Sequence, residues 1–159
     1  MRGIKTEQEI ELMQKATNLT EEALTETLKK VEVGVCEREL ALFMEMYMRQ
    51  HGAVGVAFDL IIISGKKTSM PHGVPDDKKL EYGDLITLDI GADVEGYKSD
   101  MTRTVALGAV SDYQAKVYDI VKTAQQAALD KIKSGVSCGE VDRTARDIIY
   151  KAGFEGCFG

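Results

Sequence analysis

The sequence predicts an α+β fold with the element order ααβββαα. Apolar residues recur at helical spacing up to about Gly52 and again beyond Ser111, whereas the stretch between Ala57 and Gly108 holds β-rich runs broken by Gly, Pro and Asp. A second observation is internal repetition. Leu28-Lys-Lys-Val-Glu-Val-Gly34-Val35 aligns with Leu129-Asp-Lys-Ile-Lys-Ser-Gly135-Val136 at an offset of 101 residues, and Glu39 with Glu140 and Gly52 with Gly153 keep the register.

Thr6-Glu7-Gln8-Glu9 reads as a capping box, and it predicts a first helix from Thr6 to Val31 with an apolar face of Ile10, Met13, Ala16, Thr17, Leu24 and Leu28. After Gly34, CERELALFMEMYMRQHG predicts a second helix burying Leu40, Phe43, Met44 and Tyr47, with Gly52 in the place of a C-terminal cap. Met44, Met46 and Met48 read as core filler. VAFDLIIISG, GDLITLDIGA and GYKSDMTRTVALG then read as three strands. Val117, Ile120, Val121, Ala124, Ala128, Leu129 and Ile132 restore the helical period, and a last helix is predicted from Gly139 to Ala152.

With 159 residues, 44% of them hydrophobic, the chain is long enough for one ordinary domain or part of one. Its charge of −6, with acids and bases interspersed, offers no basic stripe for nucleic acid. No apolar run is long enough for a membrane span, and the charged N-terminus is unlike a signal peptide, so a cytoplasmic location is expected. Cys36, Cys138 and Cys157 share no metal-binding spacing and read as buried free thiols. The repeat divides the chain into an ααβββ half, residues 1–108, and the helices that open a second half, residues 109–159. The second copy stops before any strands, which predicts an incomplete chain.

The feature that bears on function is Asp89 inside the apolar run LITLDIGA, followed eleven residues later by Asp100 in YKSDMTRTVAL. Asp is depleted in strands and is almost never buried without compensation. With a hairpin turn centred between Val94 and Glu95, Asp89 is expected opposite Asp100, on one face with Thr87 and Thr102, while Ile86, Leu88, Ile90 and Met101 form the apolar face. Two such carboxylates need a cation between them or a shared proton, and a divalent metal is the usual solution. The alternative is structural, with Asp100 capping a turn and Asp89 facing solvent on an edge strand.

PHGVPDD, GDLITLDIGA and above all YKSDMTRTVALG resemble the pita-bread metallopeptidases, in particular the Xaa-Pro aminopeptidase and Xaa-Pro dipeptidase (prolidase) branch, and the likeness runs through nearly the whole chain. The resemblance implies the creatinase/aminopeptidase-like fold of two pseudosymmetric halves, of which this chain holds the first and the leading helices of the second. It implies a site with two divalent ions (Mn, Co, Zn or Fe), with Asp89 as a chelating ligand and Asp100 as the carboxylate bridging both. His72 resembles the histidine that contacts substrate near the scissile bond, and Thr102 and Arg103 match supporting positions beside the site. The implied substrate is a peptide with proline at the second position. The family's remaining ligands, one His and two Glu, lie C-terminal to this region and are absent from these 159 residues. Methionine aminopeptidase and a non-catalytic binding module on the same fold are the alternatives, and an open sheet edge allows a homo-oligomer.

Overall fold

The structure, a computed structural model, describes residues 3–158. Two compact units divide after Val110. In the first, α1 (Glu7–Leu28) and α2 (Glu37–Gln50) precede six short strands: β1 (Gly55–Val56), β2 (Ile61–Ser64), β3 (Leu85–Ile90), β4 (Ala92–Val94), β5 (Tyr97–Lys98) and β6 (Met101–Ala106). The second unit is a pair of packed helices, α3 (Asp112–Lys131) and α4 (Cys138–Lys151).

Local chemistry sets the helix starts. Thr6 and Glu9 form the expected capping box at α1, and Ser111 with Gln114 and Ser137 with Glu140 do the same at α3 and α4. Helix α4 lies 101 residues beyond α2 at both of its ends, so the sequence repeat is also a structural one. The buried face of α1 differs from the predicted one. Ala16, Leu19, Thr20, Ala23 and Thr27 are buried, whereas Ile10, Met13 and Leu28 are exposed. Helix α1 packs against β4 and β5 as well as α2, and small side chains permit that close approach. In α2, Leu40, Met44 and Met48 are buried, Phe43 and Tyr47 are half-buried, and Met46 is exposed, so only two of the three methionines fill the core. The cysteines are not buried as expected: Cys36 is half-buried, and Cys138 and Cys157 are exposed.

Each of the three predicted strand runs is divided in two, giving the antiparallel sheets β1-β4-β5 and β2-β3-β6. The break falls at Gly91, where a Cβ would stand 2.2 Å from the Ser99 carbonyl oxygen and 3.0 Å from Ala57 Cβ. Only glycine allows the two backbones to come so close. Beside the break, the Ala92 N–H donates to Ser99 Oγ (2.9 Å) and Thr20 Oγ1 (3.2 Å), which ties the sheet to α1. Leu88, Ile86 and Ile90 are fully buried with Leu40, Met44 and Met48, as the alternation of β3 predicts. Burying each such side chain contributes about 1.5–3 kcal/mol, which makes this face the main reason that the opposite face holds still.

The hairpin register is shifted by two residues from the expected one. The turn is Glu95-Gly96, with both residues at positive φ (53° and 85°), as a two-residue hairpin loop of the I′ kind requires. Asp89 therefore pairs with Thr102, and Thr87 with Thr104. Because the shift is even, every side chain keeps its predicted face.

Candidate metal centre

Asp89 and Asp100 are diagonal rather than direct neighbours on the solvent-facing side of the hairpin. Asp89 lies within β3, whereas Asp100 lies in the break between β5 and β6, one residue before the Ile90–Met101 pair. Asp89 is half-buried and Asp100 exposed. Thr102 Oγ1 donates to Asp89 Oδ1 at 2.7 Å and so fixes the orientation of that carboxylate. Among the described residues neither aspartate has a basic partner.

Both aspartates line one cavity of about 600 Å³ together with His72 and Asp59. The remaining walls are mostly apolar and include Phe58, Ile61, Val74 and Pro75. Thus Asp89, Asp100 and His72, separated by up to 28 residues in the sequence, meet at one place. Thr102 adjoins Asp89. Arg103 does not join them: it pairs with Leu88 on the other side of the ladder, and its Nη1 donates to Thr102 O at 2.8 Å.

Asp59 is the acidic residue that sequence reasoning passed over. Its signal was the same as that of Asp89, an aspartate within an apolar run, VAFDLIII. The sequence pattern predicts one strand, yet Ala57–Leu60 is irregular backbone between β1 and β2, and this irregularity brings Phe58 and Asp59 to the cavity.

Three carboxylates and one imidazole, with no lysine or arginine in the walls, make a cavity that favours cations. Oxygen donors of this kind suit hard or borderline divalent ions. Among the described residues, however, no group of three or more His, Cys, Asp or Glu side chains converges to hold an ion. The carboxylates of Asp89 and Asp100 are the right donor type for a divalent ion but do not by themselves complete a shell among the described residues.

The model of metallopeptidase family M24 matches residues 11–159. The chain belongs to metallopeptidase family M24. It is 40% identical to the Xaa-Pro dipeptidase of Pyrococcus furiosus, over 99% of this chain and 45% of that protein. It is also 40% identical to the Xaa-Pro dipeptidase of Pyrococcus horikoshii, over 97% of this chain and 44% of that protein. Among solved structures, the X-Pro aminopeptidase of Thermotoga maritima is similar at 42% identity and a TM-score of 0.91, over 96% of this chain and 44% of that one. The M24 chain described here thus spans just under half the length of these relatives. Its fold is the pita-bread fold over the matched portion, and M24 membership implies divalent metal. No helix among the described residues is long and apolar enough to cross a membrane.

Proposed function

We propose that this chain supplies Asp89 and Asp100 to the metal site of a peptidase that releases the N-terminal residue from peptides with proline at the second position. The observation that carries this reading is the shared cavity, in which unneutralised carboxylates and His72 lie beside an apolar wall. The names of the M24 relatives support the Xaa-Pro preference over methionine aminopeptidase or a binding module without catalysis.

Asp89 and Asp100 are the residues that would hold metal, and divalent ions bound there would supply Lewis acidity and lower the pKa of water. The chain's own groups supply the rest. Thr102 keeps the Asp89 carboxylate in one orientation. The negative potential of the cavity draws in the α-ammonium of a peptide as well as the metal. Phe58, Ile61 and Val74 accept the side chain of the leading residue and displace water from it, and His72 donates a hydrogen bond to the oxyanion that develops at the scissile carbonyl.

The test is hydrolysis of Ala-Pro and Met-Ala peptides with Mn²⁺, with a chelator and with the Asp100→Ala variant. Metal-dependent release from the proline peptide that is lost in the variant supports the reading and requires ligands from elsewhere, most simply a second copy of the chain, to complete the shell. A preference for Met-Ala moves the assignment to methionine aminopeptidase. No hydrolysis by the parent agrees with the incomplete shell, and the ligand assignment is then decided by calorimetric Mn²⁺ titration: Asp100→Ala is expected to bind more weakly, and equal affinity contradicts the reading.

A further inference from the structure

Glu37, in the first turn of α2, is fully buried and lies outside the cavity. A buried carboxylate is costly unless its oxygens are satisfied, and these are. Oε1 accepts from the Ser64 N–H (2.7 Å) and from Ser64 Oγ (2.9 Å) at the end of β2. Oε2 accepts from Lys67 Nζ at 2.5 Å and from the Asp76 N–H at 3.4 Å.

Lys67, in the 3-10 turn Gly65–Ser69, extends the connection to the loop that forms one wall of the cavity. Its ammonium donates to the Val74 carbonyl at 2.9 Å and pairs with the Asp76 carboxylate at 2.9 Å. Val74 lines the cavity two residues from His72. On the other side, Lys78 Nζ bridges Ser64 Oγ and Asp84 Oδ2, both at 2.8 Å, and Asp84 directly precedes the strand that bears Asp89. One hydrogen-bonded chain therefore ties both carriers of cavity residues to α2. Burial alone would lower the Lys67 ammonium's pKa, but hydrogen bonds to Glu37 and Asp76 more than offset it and hold the group above its ordinary value.

We infer that Glu37 and Lys67 are positioning residues that hold the His72–Val74 segment against the cavity and so fix the location of His72 relative to Asp89. The catalytic part of this inference rests on the peptidase reading, whereas the positioning part does not. Ion pairs that are only structural contribute to stability. This pair ties α2 to the loop that carries Val74, two residues from His72, so its loss should register locally at His72.

The experiment is imidazole NMR on the full 159-residue chain. The sequence has two histidines, so His72→Gln identifies the His72 signal and His51 serves as an internal control. Glu37→Gln with Lys67→Met removes both charges together and avoids leaving one of them buried alone. The inference predicts that the His72 signal shifts or broadens in this double variant, that His51 is unmoved, and that Lys67→Arg retains the parent spectrum. Should the double variant not fold, Lys67→Gln, which keeps a donor but is too short to reach both Glu37 and Val74, is expected to give the same His72 change. A folded variant with lower stability and an unaltered His72 signal overturns the inference. Where the parent hydrolyses an Xaa-Pro peptide, kcat is expected to fall by about ten- to a hundredfold, with KM and Mn²⁺ affinity little changed. Without hydrolysis in the parent the His72 spectrum alone decides the positioning, and a failure of the peptidase reading shows separately, as Mn²⁺ affinity unchanged in Asp100→Ala.

Discussion

The hydroxyl of Thr102 shows how a neutral residue can tune a charged one. It donates to Asp89 Oδ1 at 2.7 Å, and without it the carboxylate would sample several orientations. Thr102→Val is nearly isosteric and is expected to weaken Mn²⁺ binding by about tenfold, as groups that orient a metal ligand commonly do. Calorimetric titration of the variant beside the parent measures this, and equal affinity would show that the hydroxyl is incidental. Gly91 makes the opposite kind of contribution, by what it lacks. Gly91→Ala drives a methyl group into the Ser99 carbonyl and against Phe58, and is expected to lower unfolding free energy by about 3 kcal/mol in urea denaturation. Asp89 was legible in the sequence because a charge within an apolar run demands compensation. The partnership of Thr102 with Asp89 was less so: its face followed from alternation, but its position opposite Asp89 depended on a turn that composition does not settle.

At the scale of elements, that turn decides the geometry of the site. The residues DVEG allow two hairpin centres, and the expected one placed Asp89 opposite Asp100. The observed centre, between Glu95 and Gly96, moves the pairing by two residues and makes the aspartates diagonal. Glu95 bears the cost of a positive φ, which asparagine tolerates better. Glu95→Asn is therefore expected to raise stability by about 0.5–1 kcal/mol, read as a higher urea midpoint with an unchanged slope. The helices were predicted to within a few residues, the first from its capping box and the others from apolar periodicity, but the buried face of α1 was not. Periodicity marks where large apolar residues recur, and a helix seated closely on a sheet buries Ala16, Thr20 and Ala23 instead. Division of each predicted strand into two was likewise hidden, because it arises from the backbone contact at Gly91 and from the irregular Ala57–Leu60 segment rather than from any pattern of side chains.

For the molecule as a whole, the repeat at an offset of 101 residues is borne out in the matching bounds of α2 and α4, and the M24 family assignment covers both units. The proposed metal site concerns only the first unit, where Asp89 and Asp100 line one cavity. Because they do not complete a shell among the described residues, binding by this chain is expected to be weak, and paramagnetic broadening by Mn²⁺ in amide NMR spectra detects weak sites directly. The account predicts that broadening begins at residues 58–61, 72–75, 89 and 100 and is abolished by Asp89→Asn with Asp100→Asn. Broadening centred on the acidic groove of α1, at Glu21, Glu22 and Glu26, or broadening at the cavity that survives both substitutions, would contradict it.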